Sequence, residues 1–184
     1  VHRKVYIKKI ICAYMQENYP IEYIQGSVQF FGRDFVVTPD VLIPRLETEG
    51  LVRRAREIIR TKGIETVIDI GTGSGIIGVS CADLVDSVVF LDISEEALDI
   101  AKKNFQTHFP EKSAIFAVSD LLSGYQYQSE PPLIPPSQGG SETIPPSHYP
   151  ANILFVANLP YIRENDWENM SADTRHEPEL ALFG

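Results

Sequence analysis

"VIDIGTGSGIIG", Val67 to Gly78, decides the fold of this chain. A short apolar run, the pattern of a buried strand, leads directly into glycines at 71, 73 and 75 and then into an apolar helix opening. Glycine takes positive φ at no steric cost and lets a ligand lie against bare backbone, while free N–H groups at a helix start offer donors. Strand, glycine turn and helix in that order describe a nucleotide-type pocket. The spacing Gly73, Gly75, Gly78 also satisfies the G-x-G-x-x-G pattern, so a dinucleotide reading stands beside it. Asp92 ends the next apolar run, 17 residues after Gly75, where its carboxylate can accept both ribose hydroxyls of an adenosine ligand. That position suits NAD and S-adenosylmethionine alike. A bare strand–helix turn accounts for the glycines but not for the acid.

The neighbouring segments extend the same alternation. Downstream, "IIGVSCADL" reads as a helix to Leu84, "SVVFLDI" as a strand, "SEEALDIAKKNFQTH" as a helix opened by Ser94, and "AIFAVSD" and "NILFVANL" as two further strands. Upstream, Leu46, Leu51, Val52, Ala55, Ile58 and Ile59 recur at helical spacing, with Gly63 as the stop. "SVQFFGRDFVVTP" predicts a hairpin turning around Gly32, Arg33 and Asp34. A modest helix is predicted from Arg3 to Glu17, on apolar residues Val5, Ile7, Ile10, Ile11, Tyr14 and Met15. Alternating strands and helices imply an α/β fold with a parallel sheet covered by helices. The segment 124–150 breaks the pattern: Pro, Ser, Gly and Gln dominate it and "IPPS" occurs twice. Such a composition cannot build a core, and the segment is read as a disordered surface insert, with a polyproline II ligand as the sharper alternative.

Composition narrows the function classes. The chain has 184 residues, 43% hydrophobic, enough for one domain with a core. Its apolar runs fall far short of the ~20 residues of a membrane-spanning helix, and a soluble, cytoplasmic protein is expected. The net charge of −9 argues against a general nucleic-acid binder, which needs clustered Lys and Arg. The cluster Arg3, Lys4, Lys8 and Lys9 reads as a solvated helix face. Cys12 and Cys81 have no metal-ligand spacing and read as free thiols, buried or half-buried.

"ANLPYI", Ala157 to Ile162, follows the last strand. In an open parallel sheet whose order reverses beside the first strand, ligands bind at the carboxyl ends at that switch point. Asn158 therefore falls beside the Gly71–Gly75 loop. A hydride-transfer site has no need of an amide followed by Pro-Tyr, whereas methyl transfer to a planar nitrogen does. The nitrogen lone pair is delocalised and must be turned along the transfer axis. The Asn158 side-chain oxygen and the Leu159 carbonyl can accept the two N–H protons and favour that geometry, while Tyr161 packs on the flat group. Standing alone, the same letters also describe a plain Asn-x-Pro turn ending a strand.

Together, "QGSVQFFGRDFVVTPDVLIPRLETEGLV", "VIDIGTGSGIIGVS", "DISEEALDIAKKN", "VANLPYI" and "RHEPELALFG" resemble the peptide-chain-release-factor glutamine N5-methyltransferases, HemK-like class I enzymes dependent on S-adenosylmethionine. "LIPRLETE" is the most family-specific piece; the family's pattern reads PRPETE and NPPY, so this chain departs at Leu46 and Leu159. "NLPY" also resembles the ribosomal-RNA adenine dimethyltransferases, which makes an rRNA or DNA adenine N6-methyltransferase the runner-up. The resemblance implies a Rossmann-like sheet and methyl transfer to the side-chain amide of the glutamine in the GGQ loop of a class I release factor. It implies that Gly71, Thr72, Gly73, Ser74 and Gly75 cradle the cofactor's methionine end, Asp92 its ribose, and Asp120 with Leu121 the adenine edge. Asn158, which also touches the cofactor, would hold the glutamine amide with Leu159, Pro160 and Tyr161. Arg45, Glu47 and Glu49 would brace the pocket or the helix start, with Arg175 and Glu177 as polar anchors near the cleft. Residues 1–26 would be the remnant of an N-terminal helical domain and 27–184 a methyltransferase domain carrying the insert at 124–150. Measured against a seven-stranded class I sheet, the chain reads as a partial copy with an unpaired apolar edge at Ile153–Ala157. An inactive remnant that at most binds cofactor is the non-enzyme alternative.

Overall fold

β3, Thr66–Ile70, is buried along its whole length because strands flank it on both sides and side chains cover both its faces. A computed structural model describes residues 12, 18–123, 152–162, 166 and 170–183. Within them the order is α1 (Ile21–Gln25), β1 (Ser27–Phe30), β2 (Arg33–Val36), α2 (Thr48–Lys62), β3, α3 (Ile76–Cys81), β4 (Ser87–Asp92), α4 (Glu95–His108), β5 (Ile115–Val118), β6 (Ile153–Ala157) and α5 (Glu179–Leu182). β3 to β6 form one parallel sheet in the order β5-β4-β3-β6. That is the α/β sheet expected, with the strand order reversing beside β3. The helix expected over Arg3–Glu17, Cys12 apart, and the Pro-rich segment 124–150 lie outside the described residues.

Strand alternation sorts the core into two layers. Val67, Val88, Phe90 and Val156 face the helices, packing with Val52, Ala55 and Ile59 of α2, Ile76, Ile77 and Val79 of α3, and Leu98, Ala101 and Phe105 of α4. Ile68, Ile70, Val89 and Leu91 form a separate cluster on the opposite face. Among the described residues β6 pairs only with β3, and Phe155 is 51% exposed. α4 starts where Ser94 caps it, its hydroxyl accepting from the Ala97 N–H (3.1 Å). α2 ends at Gly63 with φ 63°, as its stop signal predicts.

Three local expectations are corrected. The hairpin turns on Phe31 and Gly32, with φ 47° and 74°, and Arg33 and Asp34 already belong to β2. Positive φ at both positions is the two-residue geometry that matches strand twist; Phe31 is held there by the Glu49 carboxylate, which accepts its N–H (3.3 Å), and by packing beneath Arg56. α3 ends at Cys81 and tightens into a 3-10 turn, Ala82–Leu84. The Lys112 ammonium donates to the carbonyls of Ala82 and Val85, supplying the partners that a helix end lacks. Cys81 is buried among the apolar side chains of the sheet and its helices, but Cys12 is exposed, against the expectation for both thiols.

Gly78 serves packing, not backbone freedom. A Cβ on it would lie 2.4 Å from Phe90 Cε1 and 3.1 Å from Asp69 Oδ2. Phe90 cannot retreat, since its ring stacks on Phe116 at 4.8 Å and 5°. Gly78→Ala is therefore expected to lower the unfolding free energy by about 1–3 kcal/mol through overpacking, despite the ~1 kcal/mol that alanine gains in helix propensity. Urea unfolding of the two proteins measures it.

Candidate functional site

The carboxyl ends of the four parallel strands open into one cavity of about 440 Å³. Gly71, Thr72, Gly73 and Ser74 line it after β3, Asp92 and Ile93 at the end of β4 and just after it, Ser119, Asp120 and Leu121 after β5, and Asn158, Leu159 and Pro160 after β6. Two walls come from elsewhere in the chain: Pro39 to Arg45, following the hairpin, and Pro178 to Phe183 around α5.

The glycine loop runs through φ 64°, 52° and 81° at Gly71, Gly73 and Gly75, values that side chains rarely adopt. Gly75 does not line the cavity: a Cβ there would sit 3.0 Å from Ala101 Cβ, so this glycine lets α4 approach. Thr72 turns its hydroxyl inward, donating to Asp69 Oδ2 (2.7 Å), and its N–H donates to the Leu91 carbonyl (2.9 Å). Asp92 accepts the Gly73 N–H at Oδ2 (2.8 Å) and the Ser94 N–H at Oδ1 (3.1 Å) while facing the cavity. Each oxygen keeps a second lone pair for a ligand hydroxyl. Tyr161 lies outside the cavity lining and is 81% exposed, so the four residues of the clamp are not gathered together: Asn158, Leu159 and Pro160 face the cavity and Tyr161 does not.

Electrostatics favours a cation. The lining carries the carboxyl groups of Asp40, Asp92, Glu96 and Asp120 against the single guanidinium of Arg45. Arg45 is itself committed, donating to Glu177 Oε1 (2.5 Å), and Glu177 Oε2 accepts the Ile43 N–H (3.1 Å). Glu177 thus anchors the Pro39–Arg45 wall; burial raises its pKa, and the Arg45 charge opposes that rise. Glu49 braces the hairpin turn, and Glu47 stands at the N-terminus of α2 without a side-chain capping bond.

Beneath the loop, Asp69 is fully buried. Its Oδ2 accepts from Thr72 and from the Gly78 N–H (2.9 Å), while Oδ1 has no partner among the described residues. Burial pushes its pKa up to about 7, against the pull of those two bonds. Absent from the sequence reading is Asn104, a buried amide on α4 bonded to both β2 and the glycine loop. The signal was there: Ala97, Ala101 and Asn104 share one helical face, and an amide in that apolar stripe needs partners. Among the described residues no helix is long and apolar enough to cross a membrane, and no His/Cys/Asp/Glu group could hold a metal ion.

The cavity lies at the switch point of the sheet, with a glycine loop on one strand and an Asn-x-Pro turn on its neighbour, and residues 51–136 match the family model described as the methyltransferase small domain. More particularly, the chain is similar to release factor glutamine methyltransferases. The one from Enterococcus faecalis is 36% identical over 174 residues, 93% of this chain and 54% of that protein. Its counterpart from Bacteroides thetaiotaomicron is 38% identical over 172 residues, 92% of this chain and 53% of that protein. The chain thus spans about half the length of the curated relatives it matches. Among solved structures, a ribosomal protein L11 methylase from Lactobacillus delbrueckii subsp. bulgaricus is similar over 45% of this chain and 42% of that one, at 28% identity and a TM-score of 0.39.

The burial of Asp69 has a pH signature. With its pKa raised, the cost of holding the charge is absent below the unfolded-state value, grows as pH rises, and is complete above about 7. Asp69→Asn removes the charge at nearly constant shape. The melting temperature of the parent, measured relative to this variant, is expected to fall between about pH 4 and pH 7; a constant difference would show that Asp69 does not titrate in that window.

Proposed function

We propose that this chain carries the S-adenosylmethionine pocket and amide-binding turn of an enzyme that methylates the side-chain nitrogen of the GGQ-loop glutamine in a class I release factor. One observation carries the reading. The parallel register Ile70↔Ala157 sets Gly71 and Asn158 side by side at one end of two adjacent strands, and both face the same cavity. Their closeness is physical: a Cβ on Gly71 would meet Leu159 Cδ2 at 3.0 Å.

The residues present fit the cofactor. A cavity of about 440 Å³ lies in the usual size range of small-molecule sites. Its carboxylates suit a ligand bearing a sulfonium and an ammonium group. Asp92 has lone pairs for ribose hydroxyls, while Ile93 and Leu121, each half-exposed in the lining, offer apolar flanks for a flat base. When bound, the cofactor supplies an electrophilic methyl group on a positively charged sulfur. The chain's own part is orientation. The Asn158 side-chain oxygen and the Leu159 carbonyl would accept the two N–H protons of the substrate amide, and Pro160 would fix the turn that presents them. These contacts polarise and aim the nitrogen without requiring a strong base. Residues 27–184 would form this methyltransferase domain, preceded over 1–26 by part of a helical domain. The setting is translation in the cytoplasm, with the release factor as the protein partner and no direct contact with nucleic acid.

Calorimetric titration with S-adenosylmethionine tests the pocket: binding is expected, and no heat at high ligand concentration would sink both the enzyme reading and the cofactor-binding one. Labelled cofactor offered with a release factor or with ribosomal RNA tests the substrate, and label on RNA alone would overturn the glutamine assignment. Asn158→Ala is expected to abolish transfer while leaving cofactor affinity within about tenfold, ~1.4 kcal/mol. A larger loss of affinity would make Asn158 chiefly a cofactor ligand.

A further inference from the structure

Val36 ends β2 opposite Ser27. Antiparallel ladders turn alternate residues outward, and here the next residue, Val37, donates back to the Gly26 carbonyl (3.2 Å), so the N–H and C=O of Val36 point away from β1. Outward backbone groups in the interior need partners. One side chain supplies both: Val36 N–H donates to Asn104 Oδ1 (2.7 Å), and Asn104 Nδ2 donates to the Val36 carbonyl (3.0 Å). The amide imitates a neighbouring strand. Its second Nδ2 proton goes to the Ser74 carbonyl (2.8 Å), between two glycines in left-handed conformations.

These bonds join opposite walls of the cavity. Val36 runs directly into the Pro39–Arg45 wall, and Ser74 belongs to the glycine loop. The same face of α4 reinforces the junction: Ala101 meets Gly75, and Ala97 packs with Val37, Val41 and Ile43. Asn104 is 1% exposed, so no solvent replaces a lost bond.

We propose that Asn104 is a positioning residue for the ligand cavity, a three-bond clamp that fixes the hairpin-derived wall against the glycine loop so that the two walls move as one. The ligand-binding consequence rests on the methyl-donor reading above; the clamp itself does not.

Amide hydrogen exchange on the full chain is therefore the primary measurement, with S-adenosylmethionine affinity as the second. In Asn104→Ala, the amides of Gly73 to Gly75 and of Val36 to Thr38, Asp40 and Val41 are expected to exchange about tenfold faster or more as a group, with those of β3 and α2 unchanged. Cofactor affinity is expected to fall about tenfold or more at a temperature where the protein is folded. Ile59→Val, a core change on α2 away from the cavity, should alter loop exchange and affinity by less than roughly twofold. Should Asn104→Ala not fold, the same readings are taken on Asn104→Ser. Faster exchange at Val36 alone, with the glycine loop unchanged, would overturn the proposal and make Asn104 a hairpin tether. If the parent protein binds no S-adenosylmethionine, the methyl-donor reading fails while the exchange comparison still decides the clamp.

Discussion

Parallel pairing of β3 with β4 on one side and β6 on the other is the constraint from which the site follows. Ile70 lies opposite Leu91 and Ala157, and Asp92 lies opposite Val118. Gly71, Asp92 and Asn158 therefore emerge at one level on one rim, with Ser119 and Asp120 just beyond it after β5. Side chains alternate along a strand, so a shift of any pairing by one residue would turn its apolar set out of the core and move its rim residue off that level. The hydrophobic layers that fix the register, Val67 with Phe90 on one face and Ile68 with Leu91 on the other, thereby fix the site.

The rim is finished by elements that the sheet does not contain. The hairpin and the segment after it supply a wall, held by the Glu177 carboxylate through Arg45 and Ile43 and by Asn104 through Val36. Tyr23 adds a third tie, its hydroxyl donating to the Val41 carbonyl (2.7 Å) from a buried position that raises its pKa. Each tie joins residues distant in sequence, and each leaves a buried polar group unpaired if one partner is removed, which is costly. The acidic lining has its own energetic consequence. Four acidic residues line the cavity against one arginine, and that balance of charge favours a positive ligand.

Much of this was legible in the order of residues. β3, its glycine loop and α3 follow from an apolar run, three glycines and a second apolar run; α4 follows from Ser94 and a helical period. Asp92 and Asn158 could be assigned to strand ends because apolar runs stop there. The short helix α1, the cavity walls at Pro39–Arg45 and Pro178–Phe183, and the bonds of Asn104 could not be read in the same way. No local period announces them, since each exists only because a distant segment packs against it. Tyr161 is the instructive case: it adjoins Pro160 in sequence, yet one step along the chain carries its ring away from the lining to solvent.

The sequence by itself determined the secondary structure around the glycine loop, the parallel class of the sheet and the residue types at its carboxyl rim, because periodicity, capping and glycine conformation are local properties of a chain. Tertiary structure alone decided which glycine faces the cavity and which faces a helix, as Gly71 and Gly75 divide the work. It alone paired Arg45 with Glu177 and set Asn104 between β2 and Ser74. The physical reason is that a buried polar group must find its partner in space, and space, unlike period, is not written along the chain.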